Sequence, residues 1–206
     1  MLTESNDSLA EYEVYLFVLS AKNHHRLLAQ AEKALVYLEK GHYSSKDFLD
    51  ICYTYQTGRE MMEYRTAFLI SSQDELVEKL KNYIDGTEHI AGVFEGQGEP
   101  NGHQVFTRWF TDQEQYEKAI EKNITERRYD DILKMWAAGI DFEWEHLYEG
   151  KQIKPRITSV PTYSFEKRKF WAPKGVEKNE ETKRNSVEAQ KNLTTGKAEV
   201  MDEAYE

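Results

Sequence analysis

The sequence predicts an α/β fold, a small sheet with helices packed on it, built from two β-α repeats. Three observations carry this expectation. Tyr15 to Ser20 (YLFVLS) is a short run of aromatic and branched apolar side chains, which fits a strand buried on both faces, with a buried helix segment as the competing reading. The helical pattern behind it decides for the strand: from Asn23 the apolar residues fall at Leu27, Leu28, Ala31, Ala34, Leu35 and Leu38, one face of a helix that Gly41 stops. The same unit then recurs, with Thr66 to Ser71 (TAFLIS) as strand and Leu76, Val77, Leu80, Tyr83 and Ile84 as helical stripe.

In chain order, residues 1–13 form a polar, acidic leader expected to be flexible. The α/β unit is expected over 14–95. Between its two repeats Phe48, Leu49, Ile51, Cys52 and Tyr55 give a helix, and Ser72-Gln-Asp-Glu75 has the form of a capping box opening the next one. Ile90 to Phe94 reads as a third strand. Residues 95–103 hold three glycines and a proline and read as a loop, so that 96–150 becomes loop and helical appendage. Stripes at Tyr116, Ala119, Ile120 and Ile124, then at Ile132, Leu133, Met135 and Trp136, predict two helices there, with a further aromatic turn of helix over 141–148. All four tryptophans come after residue 105, which suggests that this half gains stability by setting rings on an existing surface. Residues 151–173 contain three of the four prolines and are expected to run extended. The stretch 174–206 has the charged, amide-rich composition of a disordered tail and tether.

The charge is uneven. Residues 1–150 carry 15 Lys+Arg against 28 Asp+Glu, whereas 151–174 carry 7 against 1. An acidic body with one basic strip argues against nucleic-acid binding, and the charge together with the rings at Tyr163, Phe165, Phe170 and Trp171 predicts that residues 154–171 pack back on the 14–95 unit. Nothing approaches the length of apolar chain that a membrane crossing needs, and the N-terminus lacks the basic and apolar regions of a secretory signal, so a cytoplasmic protein without a membrane partner is expected. A single cysteine, Cys52, excludes an internal disulfide and a cysteine-based zinc site.

No nucleophile elbow, phosphate loop, dinucleotide fingerprint or H-E-x-x-H helix is present. His24 and His25 are adjacent on a helix start and point about 100° apart, a poor ion site. His42, His89, His103 and His146 are isolated, Cys52 falls on an apolar stripe, and Asp130-Asp131 and the carboxylates of 141–149 suit a wet acidic face. No catalytic residue, metal or cofactor is expected.

Several stretches taken together, LFVLSAKNHHRLLAQAEKALVYLEK, the Thr57-Gly-Arg-Glu60 signature, VFEGQG, KMWAAGIDFEWEHLYEG and KPRITSVPTYSFEKRKFW, resemble the region after the ketosynthase in bacterial trans-acyltransferase modular polyketide synthases. The resemblance covers about 15–173. It implies a flanking α/β linker subdomain and a post-linker docking strip that uses Pro161, Thr162, Tyr163, Phe165, Phe170 and Trp171. Ser164 stands where that strip usually has proline, and Phe170 where tyrosine is common. The ketosynthase Cys-His-His set, the carrier-protein serine motif and the acyltransferase G-H-S-x-G are absent from this chain, which is expected to be a piece of a longer synthase. The implied role is a non-catalytic docking segment flanking a ketosynthase of the same synthase and presenting a surface to a trans-acting acyltransferase, expected on the outer side of the 23–41 and 47–57 helices with Arg59 and Arg65. The alternative is self-association, in which the aromatic helices of 105–150 join neighbouring synthase chains.

Overall fold

The computed structural model describes residues 13–98, 106 and 109–163. At its centre β1 (Tyr15–Ala21), β2 (Tyr64–Ile70) and β3 (Val93–Gln97) form an antiparallel sheet in the order β1-β2-β3. Phe17 stands opposite Phe68, and Arg65 lies between Ser20 and Gly96. The α/β class and the two strand-then-helix repeats are present as expected, and β1 is buried nearly throughout.

Between β1 and β2 the chain forms α1 (His24–Lys40) and α2 (Ser45–Thr57). Asn23 caps α1 by accepting the Arg26 amide through Oδ1 at 3.0 Å, and Leu27, Ala31, Ala34 and Leu38 turn inward on the expected spacing. Ser44 caps α2, which packs along β1 with the Phe48 ring against Tyr15 and Tyr55 against Phe17. After β2, α3 (Gln73–Ile84) begins at Ser72, whose hydroxyl accepts the Glu75 amide at 3.2 Å. The Glu75 carboxylate reaches one residue further back than a capping box requires, taking both the amide and the hydroxyl of Ser71 at 2.7 Å.

The third strand begins three residues later than the sequence suggests. Ile90 and Ala91 belong to a turn that ends at Gly92, where φ is +71°. A Cβ there would lie 2.8 Å from Lys79 Nζ and 3.0 Å from the Leu69 carbonyl oxygen, so only glycine fits both the dihedral and the space. The Gly92 carbonyl accepts the Leu69 amide at 2.8 Å, and β3 starts from that anchor.

The second half adds α4 (Gln113–Thr125), α5 (Tyr129–Ala137) and a 3-10 helix (Trp144–Tyr148). Helix α5 packs on the face of β2 and β3 that carries Arg65 and Gly96. Phe68 lies on the other face, edge-on to Tyr83 of α3. Trp136 and Trp144 are both essentially solvent-free and meet edge to face, with Phe142 against Trp144, so these rings are part of the core that the sheet shares. Tyr148 closes the join by donating its hydroxyl to Gln56 Oε1 at 2.7 Å, while Gln56 Nε2 donates to the Leu16 carbonyl. Among the described residues no helix is long and apolar enough to cross a membrane.

Candidate functional site

Beyond the 3-10 helix, residues 151–163 have no regular secondary structure, and from Arg156 onward they are bonded to α1 and α2. The seat for this strap is made from two pairs of polar residues, each pair one helical turn apart and therefore on one face. On α2, Asp50 Oδ1 accepts the Arg156 amide at 2.7 Å and Thr54 Oγ1 accepts the Thr158 amide at 2.9 Å. The Thr54 hydroxyl gives its own proton to the Asp50 carbonyl at 2.7 Å, which leaves its lone pairs for the strap. Lys46, also on α2, pairs with the Asp50 carboxylate.

On α1, the Tyr37 hydroxyl donates to the Ser159 carbonyl at 2.9 Å and Lys33 Nζ to the Thr162 carbonyl at 3.4 Å. Partial burial, reinforced by its contact with Tyr43, pushes the Tyr37 phenol up to about 12, so it remains a donor throughout the neutral range. Arg59, just past α2, donates to the Pro161 carbonyl and lies over the Tyr55 ring at 5.4 Å. At the far end the Lys22 amide donates to the Tyr163 hydroxyl at 3.4 Å. Ile153, Val160 and Tyr163 pack partly buried against the core, whereas Arg156, Ile157, Thr158 and Ser159 keep their side chains exposed.

The two arginines expected on a partner-facing surface have other places. Arg65 is only 6% exposed, which corrects its expected position on an outer surface. Its guanidinium donates to the carbonyls of Met62 at 2.9 Å and Trp136 at 3.1 Å, pairs with Asp141 at 2.9 Å, and stacks over the Trp136 ring at 5.3 Å. At the end of α5 the guanidinium adds a charged donor to the Trp136 carbonyl, which also accepts the Gly139 amide at 3.0 Å. Arg59 is half-buried and committed to the strap. Of the strip residues, Pro161, Thr162 and Tyr163 reach the seat; Phe165, Phe170 and Trp171 lie outside the described residues.

The remaining candidates for chemistry disperse. Cys52 is fully buried and its thiol is pushed far above its ordinary range by desolvation, so it holds its proton. His24 meets Glu95 at 3.4 Å on an exposed edge, and His146 lies between Glu143 and Glu149. Asp130 and Asp131 both face Lys134 on the surface of α5. Among the described residues no three of His, Cys, Asp and Glu group as a metal site. An open groove of about 1230 Å³ lies between α4 and residues 139–149, lined among others by Tyr116, Glu117, Ile120, Glu121, Ile124 and Phe142.

Sequence reasoning misses the seat itself. Its signal is a pair of bonding side chains at i and i+4 on each helix, Lys33 with Tyr37 and Asp50 with Thr54, beside the apolar stripe rather than opposite it. That pattern cannot be told from an ordinary wet face until the strap is placed on it.

Residues 18–87 match the family model of the RhiE-like, KS-MAT linker domain. The chain is 34% identical over 176 residues to the polyketide synthase PksN of Bacillus subtilis (strain 168) and 36% identical over 156 residues to PksL of the same organism. These matches take in 85% and 76% of this chain but only 3% of either relative. Among solved structures, the module 6 ketosynthase of the bacillaene synthase from Bacillus subtilis 168 aligns with a TM-score of 0.65 at 30% identity, over 77% of this chain and 28% of that one. The module 1 ketosynthase of the bacillaene synthase from Bacillus amyloliquefaciens FZB42 aligns at 0.66 and 29% identity, over 78% and 27%. With the matched strands and helices of 18–87 in place in the fold, this stretch belongs to the ketosynthase-flanking linkers of modular polyketide synthases, the RhiE-like KS-MAT linker family.

Proposed function

We propose that this chain is a non-catalytic docking segment of a modular polyketide synthase, flanking a ketosynthase and presenting its strap-bearing side to a trans-acting acyltransferase. The observation that carries the reading is a pair of uncovered aliphatic side chains on that side. Val36 of α1, one turn from Lys33, is 48% exposed, and Ile157, on the strap between its two α2-bonded amides, is 68% exposed. A contact that must form and release suits a small, partly apolar patch with a polar surround, at the low end of interface sizes. The flanking part of the reading is supported by solved relatives that are themselves ketosynthases, and the non-catalytic part by the burial of Cys52. With Arg59 and Arg65 engaged inside the fold, the proposed surface passes from them to Val36 and Ile157.

The test is titration of the full chain with a free-standing acyltransferase from the same assembly line. The expected result is micromolar binding that V36D/I157D abolishes with an unchanged circular dichroism spectrum. A parent that does not bind refutes the docking role, and a double variant that binds as the parent does refutes the surface. The self-association reading is favoured by one feature, the groove beside α4 together with Trp109, which is 47% exposed. It expects a concentration-dependent mass in light scattering that W109D removes.

A further inference from the structure

The strap is held by its main chain. Five of its backbone groups are bonded to α1, α2 and Arg59: the amides of Arg156 and Thr158 and the carbonyls of Ser159, Pro161 and Thr162. Meanwhile the side chains of Arg156, Ile157, Thr158, Ser159 and Thr162 point to solvent. The partners on the seat are side chains of Asp50, Thr54, Lys33, Tyr37 and Arg59, fixed on or beside two helices that also bury residues in the core. Such a surface recognises an extended backbone with amides spaced two apart, the period of extended chain, and makes little use of the intervening side chains. Pro155 precedes the bonded stretch and Pro161 lies within it, and both favour an extended conformation before docking, which lowers the ordering cost.

We propose that the α1–α2 seat is a receptor for extended chain, occupied here by the strap of the same molecule and able to take the strap of a second copy. Recognition through main-chain bonds resembles strand addition in what it reads, but its acceptors and donors are side chains on helices rather than a sheet edge. Within one molecule the tethered strap has the advantage of a high effective concentration, so a strap from elsewhere enters when the resident one is weakened or outnumbered.

The experiment uses the full chain and a fluorescent peptide of residues 151–163 as the incoming strap. In R156P/T158P the resident strap loses the two bonded amides, since proline has no N–H, while the seat is untouched. This variant is expected to bind the peptide saturably and at least tenfold more tightly than the parent. A peptide N-methylated at the amides of Arg156 and Thr158 is expected to lose at least tenfold, and one with alanine at Arg156, Ile157 and Ser159 to stay within about threefold. As a second arm independent of the variant's fold, excess unlabelled peptide added to isotopically labelled parent should speed exchange of the Arg156 and Thr158 amides at least tenfold. Absent binding to a folded variant, equal binding of the N-methylated peptide, or unchanged exchange in the parent would each overturn the proposal.

Discussion

Replacing Arg65 with methionine removes the donor that ties α5 to the sheet while keeping most of the side chain's length. In the parent the guanidinium satisfies the Met62 and Trp136 carbonyls, with the Ile140 carbonyl at 3.5 Å, in a site where Arg65 is 6% exposed. Charge-assisted bonds of this kind contribute roughly 1.5–3 kcal/mol each, and without the guanidinium the Trp136 carbonyl keeps only the Gly139 amide. The effects overlap, so the loss expected is about 3–4 kcal/mol, near the range for breaking a buried ion pair. The Asp141 carboxylate behaves differently. Its side chain is 73% exposed, so solvent takes over when the pair is broken, and D141N should cost no more than about 1 kcal/mol. Urea denaturation of both variants reads the contrast, with hydrogen exchange expected to speed first in α5. An R65M loss below about 1 kcal/mol, or a D141N loss equal to it, would refute the reasoning that buried carbonyls rather than the ion pair make Arg65 necessary.

Gly96 of β3 faces the end of α5, where an added Cβ would lie 2.4 Å from the Ala137 carbonyl oxygen. G96A should therefore force the helix off the sheet at a cost of about 2 kcal/mol, seen as a lower denaturation midpoint. Glu75 has its carboxyl lowered to about 2 from 4.5, first by Lys79 and then by Ser71. Its contribution is present above about pH 4.5 and lost as pH falls toward 2. At one-third exposure it should amount to about 1 kcal/mol, and E75Q should flatten that part of the stability–pH curve. R59A removes the bond to the Pro161 carbonyl and the contact over Tyr55, and should cost about 1–2 kcal/mol while raising exchange at the strap amides.

The elements legible in the sequence are those whose signal is local. The apolar run from Tyr15 buries on both faces, the stripe from Leu27 to Leu38 turns inward, and Ser72 caps α3. The start of β3 is not legible, because Ile90 is as strand-like as Val93 and Phe94; the deciding fact is the space at Gly92, set by Lys79 and Leu69 of other elements. Arg65 misleads for a related reason. A charged residue beginning an apolar strand reads as a surface position, and only the carbonyls of Trp136 and Ile140, some seventy residues away in sequence, explain its burial. The basic strip's return to the helices is expected from charge. In the structure the bonds that hold it run mainly through backbone atoms, which charge counting does not register.

Hydrogen exchange of the full chain, alone and saturated with a free-standing acyltransferase, tests the docking role most directly. Docking on the strap-bearing side predicts slowed exchange along the exposed side of α1 around Val36 and in the strap around Ile157, with α4 and the α5 end of the sheet unchanged. No protection anywhere at saturating acyltransferase, or protection confined to α4 and the groove beside it, would contradict it.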